Sequence, residues 1–576
     1  MAKKGPKQDD RIAEIKERYK EADNGWRDIY EEAEKDLAFV YDVGDGQWPT
    51  DVRTAREKDN RPIITVNKLQ KFVRQLRGDM MTNRPRIKVI PVDDKADVNM
   101  AELYNGLIRQ IEYLSNAPVA YDTGYMHAVS GGVGFFRIIT KYESEDSFNQ
   151  DIQIKRVMNP FSVRFDPLAE EFTMDDARFC FIEDMLRTKD FKKLYPKAEV
   201  SNFEGAEKEL FGEWIINDKV RVAEYFYKQE TKKKIALLQT GETVVLEGSM
   251  TPEYIMANGG EIIRERTASF ETVKWCKMTG AEILEESDWP GKYIPVIPVF
   301  GDEIVVDGRR YYLSMTRGAR GPQEMYNYWA TAATENVALS PKMPYMVDHR
   351  QIQGFEHEWE EANIKNRMFI RYKAIPGLQK PSRETQTQVP NAIMSMLQQT
   401  AFDIEDHLGH YEASKGQASN ERSGKAILAR VAQSDKGTYT FVDNLSRAIV
   451  AAGRQLIDLI PKIYDTPRAL QIMGEDGNQQ VVKVNQPTGT DSDGNVMVEN
   501  DLSVGKYDLV AIAGASFSSK RQEMVEFLVQ TLQYAPQLAA IIAPLTIKYS
   551  DYPGAQELYA ELTKAMQQAG AQNEVA

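Results

Sequence analysis

The feature that most constrains the fold is a long helical tract, Asn391 to Tyr464, which one short polar stretch interrupts. Apolar residues recur at steps of three or four on both sides of the interruption, so each half should bury one stripe of a helix. The interruption, Ser414 to Asn420, contains no apolar residue larger than alanine. We interpret it as an exposed loop facing a pore or a partner; the alternative is a plain surface connection between two core helices. The two stripes are Ile393, Leu397, Ala401, Ile404, Leu408 and Tyr411, and then Val442, Leu445, Ile449, Ala452, Leu456, Leu459 and Ile463.

The length and charge of the chain limit its organisation and its partners. A chain of 576 residues is too long for one core, because single cores rarely exceed about 250 to 300 residues. Its 86 acidic residues outnumber its 72 basic residues, which gives a net charge of -14. Proteins that grip nucleic acid over a whole surface are usually basic. We therefore expect several domains, and any contact with DNA should be local, transient or weak.

The cysteines and the apolar runs indicate the compartment. Cys180 and Cys276 are far apart in sequence and lie in strand-like apolar runs, which favours buried free thiols in a reducing environment. No apolar run approaches the roughly 20 residues that span a bilayer, and the first ten residues lack the apolar core of a signal peptide. We expect no membrane partner, and a protein made and kept in the cytoplasm or in something assembled there.

The N-terminal part should begin with an amphipathic helix from Asp10 to Tyr41, whose stripe must lie along another surface. A basic segment from Arg53 to Arg61 follows, which we expect to be a solvated loop; pairing with acids or phosphate is the alternative. A second helix, Val66 to Met80, has one distinctly basic side. The stripe of the first helix consists of Ile12, Ile15, Tyr19, Ala22, Trp26, Ile29, Ala33, Leu37 and Val40.

The next region switches between helical and strand periods, which predicts an α+β domain. Gly131 to Gly134 precede a strand rather than a helix, so we expect a tight turn there and no phosphate site. From Ala177 to about Val306 we expect mixed strands with short helices. The predicted elements are a strand at Ile87 to Val92, helices at Leu103 to Leu114 and Tyr121 to Val129, and strands at Phe135 to Tyr142, Ile152 to Met158, Val163 to Phe165, Arg221 to Lys228, Ile235 to Leu238 and Phe270 to Lys277.

A helix from Ser314 to Leu339 then precedes a proline-bounded insertion, Pro341 to Pro390. We expect the helix to bury Met325, Tyr328, Trp329, Ala332 and Leu339, with Gln323, Asn327, Thr331, Glu335 and Asn336 as its polar companions. In the insertion, strand-like runs at Pro344 to Val347 and Arg367 to Tyr372 surround a small helix near Phe355 to Glu361. The order predicts a small domain at the tip of a helical hairpin.

The remainder should contain one β-hairpin or meander and two terminal helices. The hairpin would join Gln480 to Val484 with Val496 to Val498. The helices would run from Ser519 to Leu545 and from Ala555 to Gln568.

Enzyme motifs fail when they are tested residue by residue. Gly424-Lys425 is followed by Ala426 where a phosphate-binding loop requires Ser or Thr. His407 and His410 could bind a metal, but two histidines do not complete a site, and a solvated polar helix face is the favoured interpretation. We therefore predict a protein without catalytic residues, cofactor or metal.

The order of several short motifs resembles the portal proteins of short-tailed, double-stranded DNA bacteriophages. The specificity lies in this order, since each motif is short, and the likeness extends from the first helix to about Ser519. The motifs are Gly46-Gln47-Trp48, Arg61 to Asn67, Gly78, Asn83-Arg84-Pro85, Phe148 to Ile152, Asn159 to Val163, Phe165-Asp166-Pro167, Arg317 to Asn327 and Asn420 to Ile427.

This resemblance implies a multidomain α+β portal fold, mainly helical with a mixed β-sheet wing. Subunits of this family form a ring, with twelve the expected number, at one capsid vertex. The implied divisions are a wing at 1–312, a first stem helix at 313–340, a clip at 341–390, a second stem helix at 391–413, a channel loop at 414–422, a further wing segment with a long helix and a β-hairpin at 423–515, and a crown at 516–576.

The resemblance also implies roles for particular residues and partners. Lys415, Gln417, Asn420 and Arg422 become candidates for the lining of the DNA channel. The clip candidates for docking the packaging motor and the tail are Lys342, Arg350, Arg367, Arg371, Lys373, Lys380 and Arg383. Expected partners are other copies of the chain, double-stranded DNA, the terminase large subunit, a tail adaptor, and the major capsid and scaffolding proteins. The protein would lie in the virion after assembly in the host cytoplasm; the alternatives are a head-tail adaptor, another capsid component, or a packaging enzyme.

Overall fold

The computed structural model describes residues 6–44, 46–82, 84–92, 97–198, 215–216, 218–239, 241, 243–246, 251–257, 261–280, 282–339, 345–362, 365, 367–383, 391–408, 439–474, 479–490, 496–512, 528–532, 534, 542–544 and 546–547. Within these residues the chain contains both helices and strands, and every strand pair is antiparallel, as expected for an α+β fold. The helices are α1 (Pro6–Tyr41), α2 (Thr50–Lys58), α3 (Leu69–Thr82), α4 (Val98–Leu114), α5 (Ala117–Gly131), α6 (Thr188–Leu194), α7 (Pro252–Ala257), α8 (Arg320–Leu339), α9 (His349–Ile352), α10 (Glu356–Glu360), α11 (Asn391–His407) and α12 (Tyr439–Ile463). The strands are β1 (Arg86–Pro91), β2 (Val133–Tyr142), β3 (Gln150–Arg156), β4 (Val163–Phe165), β5 (Phe179–Arg187), β6 (Ile215–Ile216), β7 (Lys219–Leu238), β8 (Thr243–Leu246), β9 (Ile262–Met278), β10 (Ile283–Asp288), β11 (Val296–Phe300), β12 (Asp302–Val306), β13 (Arg309–Leu313), β14 (Tyr345–Met346), β15 (Ser382–Arg383), β16 (Arg468–Met473), β17 (Gln479–Val484), β18 (Gln486–Thr490), β19 (Val496–Glu499) and β20 (Tyr507–Ile512).

Helix α1 buries the predicted stripe against the chain's own sheet. Near its start, Tyr19 packs edge-on against Phe181 of β5, with ring centroids 5.3 Å apart. About two turns further, Trp26 donates from Nε1 to the carbonyl of Phe165 at 2.9 Å and stacks on Tyr312. The stripe is therefore confirmed, and the surface that covers it belongs to the same subunit.

The largest sheet has the strand order β10-β9-β7-β5-β4, with every neighbouring pair antiparallel and with β6 and β8 beside β7. The three short strands predicted between 221 and 277 are parts of β7 and β9, which are 20 and 17 residues long. Cys180 and Cys276 lie on either side of β7, and both are buried free thiols, as predicted. Burial raises the pKa of Cys276 to about 12, so the thiol stays protonated and inert.

A second core gathers elements from both ends of the described chain. Helices α3, α4, α5 and α12 share it with the sheet β11-β2-β3. Strand β1 falls where it was predicted to within one residue, but its partner is β20, with Arg86 opposite Ile512. Helix α12 buries most of its predicted stripe here, including Leu445, Ile449 and Leu456. The N-terminal helices and the region after α12 therefore fold as one unit.

The glycine cluster at 131–134 forms the expected tight turn between α5 and β2. Gly132 caps the helix with φ of 87°, a conformation that favours glycine. A Cβ on Gly134 would lie 2.0 Å from the carbonyl oxygen of Gly124, so helix and strand approach closely there. The turn joins two packed elements, as the strand after the glycines indicated.

The region after α12 differs from the prediction in its pairing. The predicted strands at 480–484 and 496–498 exist, but they do not pair with each other. Strand β17 pairs with β16, and β19 pairs with β18, so two hairpins replace one. Of the predicted terminal helices, residues 528–532 are helical, and the segment 555–568 lies outside the described residues.

Candidate functional site

Helices α8 and α11 form an antiparallel hairpin with residues 345–383 between them in the chain. The two helices pack together, and the end of α11 lies beside the start of α8, since a Cβ on Gly318 would be 3.5 Å from His407 Cδ2. Helix α11 buries Ile404 and Leu408 of the predicted stripe. Helix α8 begins six residues later than predicted, after a short 3-10 turn at Arg317–Ala319, and its Pro322 lies in the first turn, where no helical N–H is lost.

The buried face of α8 is rotated from the predicted one: Trp329 and Ala332 are partly buried, but the fully buried residues are polar. Met325 and Tyr328, expected in the core, are 43% and 48% exposed. Gln323, Asn327 and Thr331, three of the predicted polar companions, are at most 1% exposed. The reason is the neighbour on this side, which offers backbone N–H and C=O groups rather than apolar side chains. Buried backbone groups need hydrogen-bond partners, and the three polar side chains supply them.

That neighbour is an extended segment, residues 61–68, which we call the strap. Gln323 accepts from the Lys68 N–H at 3.1 Å and donates to the Val66 carbonyl at 2.9 Å. Asn327 accepts from the Val66 N–H at 3.0 Å. Thr331 Oγ1 accepts from the Ile64 N–H at 3.2 Å and lies 3.4 Å from the Ile64 carbonyl. The strap and α8 are thus joined by a ladder of side chain to backbone hydrogen bonds.

The ladder continues into the residues that precede the strap. Asn327 Nδ2 donates to Gln47 Oε1 at 2.8 Å, and Gln47 Nε2 donates to the Phe39 carbonyl at 3.1 Å. Asn67 Nδ2 donates to the Val40 carbonyl at 2.7 Å. Gln47 and Asn67 belong to the short motifs on which the family resemblance rested. Their contacts explain those motifs as parts of one buried polar network.

Ion pairs hold both ends of α8. At its start, the fully buried Asp36 of α1 accepts from Arg317 Nε at 2.8 Å and from Arg320 Nη1 at 3.1 Å. Near its end, Glu335 accepts from Arg61 Nε at 2.7 Å and from Arg56 Nη2 at 3.0 Å. Hydrogen bonding from Arg61 lowers the pKa of Glu335 below its usual range.

The expectation of a solvated loop for the basic segment from Arg53 to Arg61 is wrong. Residues 50–58 form α2, and Arg56 is buried.

The residues between the hairpin helices form a small module, 345–383, which we call the tip module. Strand β14 pairs with β15, and the predicted second strand at 367–372 is wrong, since that segment forms no strand. Trp359 of α10 packs edge-on against Tyr345, with ring centroids 5.3 Å apart, and donates from Nε1 to the Arg371 carbonyl at 2.8 Å. The module is held by aromatic and polar contacts rather than by a large core.

Three of the seven basic residues predicted to dock partners, Arg350, Arg367 and Arg371, have acidic partners within the tip module. Arg350 lies 2.7 Å from Asp348 and lowers the pKa of that carboxyl to about 2. Arg367 binds Glu361 at 2.5 Å, and Lys365 binds the same carboxylate at 2.6 Å. These charges are paired with carboxylates, although the Arg350 and Lys365 side chains remain 67% and 60% exposed. The module's outer surface is correspondingly less basic than its composition implies.

The remaining basic docking candidates of the tip module differ in the contacts that their side chains form. Arg371 donates from Nε to Glu358 at 2.9 Å and lies over the Phe355 ring. Arg383 lies over the Tyr345 ring, 5.2 Å from its centre. Lys373 and Lys380 are exposed, and neither forms an ion pair with another described residue. Lys342 lies outside the described residues.

An exposed apolar pair in the tip module escaped the sequence analysis. Met368 is fully exposed and Phe369 is 75% exposed, and both lie between the ion-paired Arg367 and Arg371. The run Met368-Phe369-Ile370 lacks polar alternation, and that signal could have identified it as something other than an ordinary surface strand. The module therefore presents apolar side chains as well as charges to a partner.

Several candidate residues lie outside the part of the chain that the structure describes. They are the channel candidates Lys415, Gln417, Asn420 and Arg422, and the possible metal ligand His410. His407 donates from Nδ1 to the Asp403 carbonyl at 2.8 Å. The described part of the chain contains no group of three or more His, Cys, Asp or Glu side chains placed to hold a metal. In that same part, no helix combines the length and apolarity needed to cross a bilayer.

An α+β subunit with a helical hairpin, a small module at its tip and the motifs described above fits the class of phage portal proteins. Comparison with known sequences identifies the family: the profile of phage P22-like portal proteins matches residues 16–576, and the chain belongs to this family. It is also similar to the portal protein of Acyrthosiphon pisum secondary endosymbiont phage 1, with 25% identity over 513 residues that cover 85% of this chain and 71% of that protein. Portal proteins are structural, homo-oligomeric proteins of the phage capsid, with roles in DNA packaging.

Proposed function

We propose that this chain forms a closed ring, with twelve the expected number of subunits, through which the phage genome is packaged and ejected at one capsid vertex. The observation that carries this proposal is the uncovered apolar surface of the hairpin. On α8, Met325 and Tyr328 are exposed; on α11, Met394 and Phe402 are 47% and 61% exposed. Exposed apolar residues that cluster on one element indicate a contact with another protein.

The arrangement of these residues suits a ring. Each subunit of a closed ring has two neighbours, so a central hairpin must offer two contact surfaces. On α11, Met394 and Met396 are both exposed and lie about 200° apart around the helix axis. A single partner covers only one side of a helix. Apolar residues on opposite sides therefore favour a subunit enclosed between two copies.

The charge of the chain suits a conduit that lets DNA slide. Twelve copies at -14 each would carry -168, which repels a polyanion rather than gripping it. Contacts in the channel should be few and sensitive to salt. Lys415, Gln417, Asn420 and Arg422, in the loop after α11, remain our candidates for them.

The tip module, within the segment that we assign to the clip, is our candidate for docking the terminase motor and later the tail adaptor. Its exposed Met368 and Phe369 offer an apolar anchor, and Lys373 and Lys380 supply charges without an acidic partner in the described chain. Apolar and aromatic anchors contribute most of the energy of typical protein interfaces, with charges at the rim. Residues 1–312 and 423–515 would form the wing and 516–576 the crown, in contact with capsid and scaffolding proteins during assembly in the host cytoplasm.

Ring formation can be tested by mass photometry of the purified full-length chain. Replacing Met394 and Phe402 together with serine should reduce the fraction of rings at a fixed protein concentration, because the contact between neighbours loses apolar area. Phe148→Ser is the matched control, since Phe148 is 96% exposed and lies far from the hairpin in sequence. Equal ring fractions for the double variant and the control would contradict the proposed interface.

A further inference from the structure

The polar ladder between α8 and the strap has a geometry that admits only one register. The contacted strap residues advance by two, from Ile64 to Val66 to Lys68, while the helix residues that reach them change by four. Two extended residues span about 6.6 Å, and four helical residues span about 6 Å, so the two spacings match over all three rungs. The match arises from the backbone repeats themselves and does not depend on side-chain packing.

A ladder of this kind resists sliding and rotation more strictly than apolar packing does. Moving α8 by one residue would turn each polar side chain by about 100° around the helix axis. Every rung would then break together and leave the N–H groups of Ile64, Val66 and Lys68, which lie in a partly buried contact, without their side-chain acceptors, which is costly. Apolar surfaces have no such directional requirement and tolerate small adjustments. The two terminal ion pairs, at Asp36 and Glu335, restrict the helix further.

We infer that the strap ladder positions the hairpin within each subunit and thereby determines how many subunits close the ring. This inference rests on the proposed function. Neighbouring subunits are rotated by about 30° in a ring of twelve and by about 28° in a ring of thirteen, so a change of about 2° per contact decides the number. The angle depends on how the contact surfaces of α8 and α11 are tilted against the rest of the subunit. The ladder is the set of contacts that fixes this tilt.

Thr331 offers the cleanest test, because two substitutions separate its hydrogen bonds from its volume. Thr331→Val keeps the shape and removes both contacts with Ile64, and Thr331→Ser keeps the hydroxyl. Thr334→Val is the matched control on the same helix, since Thr334 is exposed and its hydroxyl bonds only to the Ala330 carbonyl. Glu335→Gln is a second test at the partly exposed end of the ladder, where the change is tolerated more easily than in the buried part.

The measurement is native mass spectrometry of rings assembled from the full-length variants. Wild type, Thr331→Ser and Thr334→Val should give one dominant subunit number, while Thr331→Val and Glu335→Gln should give at least two in comparable amounts. Rings of unchanged, single subunit number for both ladder variants would overturn the inference and leave the proposed ring intact. A wild-type chain that forms no ring would overturn the proposed function, and this inference with it.

Discussion

Replacing Asp36 with asparagine should loosen the start of α8 while leaving the main sheet intact. The Asp36 carboxylate accepts hydrogen bonds from Ser314 Oγ at 2.8 Å, Arg317 Nε at 2.8 Å and Arg320 Nη1 at 3.1 Å. Removing one partner of a buried ion pair costs about 3 to 5 kcal/mol, because the remaining charge is left uncompensated. The Arg317 and Arg320 side chains are 21% and 27% exposed, so water can solvate them in part. We therefore expect a loss of about 2 to 3 kcal/mol.

Hydrogen exchange measured by mass spectrometry is the appropriate assay. A subunit with several cores has no single free energy of unfolding, whereas exchange reports the local opening of each segment. A loss of about 2 to 3 kcal/mol should speed exchange in the first two turns of α8 by about 30- to 150-fold.

Asp28→Asn is the matched control for this experiment. Asp28 lies on the same helix as Asp36, but its side chain is 62% exposed and its contact with Arg309 is 3.9 Å long. An exposed pair of this kind contributes at most about 1 kcal/mol, so exchange in α8 should change by less than about fivefold. Two results would contradict a local role of Asp36 at the start of α8. One is unchanged protection of α8 in Asp36→Asn, and the other is an equal loss of protection throughout β5, β7 and β9.

Two further substitutions test the fold. Gly132→Ala should lower the thermal midpoint much more than Gly241→Ala: both glycines have φ above 80°, but a Cβ on Gly132 would lie 2.4 Å from the Tyr312 carbonyl oxygen, and a Cβ on Gly241 would meet nothing within 4 Å. Equal midpoints would contradict the close approach seen at Gly132. Glu335→Gln should have a lower thermal midpoint than wild type near neutral pH, because hydrogen bonding to Arg61 depresses the pKa of the Glu335 carboxyl in the folded state. That contribution is fully present above the unfolded pKa of about 4.3 and is lost as the pH falls through the folded pKa, so the two midpoints should converge in acid; a difference that persists there would contradict this assignment.

The sequence predicts elements well where one local pattern decides the structure. The stripe of α1 repeats over many turns, and each predicted member from Ile12 to Val40 is buried or partly buried. The stripe of α12 is equally regular. The turn at Gly132 follows from the need for a left-handed conformation between two packed elements. In these cases the information lies within a few neighbouring residues.

Patterns fail where the deciding partner is distant in the chain. The polar face of α8 is buried because the strap, more than 250 residues earlier, presents its backbone to it. Hydrophobic periodicity does not indicate this burial, because the contacts that cause it are hydrogen bonds rather than apolar packing. The pairing of β1 with β20 is likewise not predicted from local patterns, because the two strands are far apart in the chain.

Composition also overstated the basic character of the tip module. Arg350, Arg367 and Arg371 are neutralised by nearby carboxylates, and no count of charges shows which residues pair. The docking candidates that remain most available in the described chain are Lys373, Lys380 and the apolar pair Met368-Phe369. The ion pairs seen in the structure, rather than the number of basic residues, thus decide which residues of the tip module remain docking candidates.

Electron microscopy of the purified full-length protein, with analysis of rotational symmetry, tests ring formation most directly. We expect closed rings of identical subunits, near twelvefold, with an axial hole and with the hairpin helices at the contacts between neighbours. A closed shell, a sixfold tube, or rings whose neighbours meet without contact between their hairpins would contradict it.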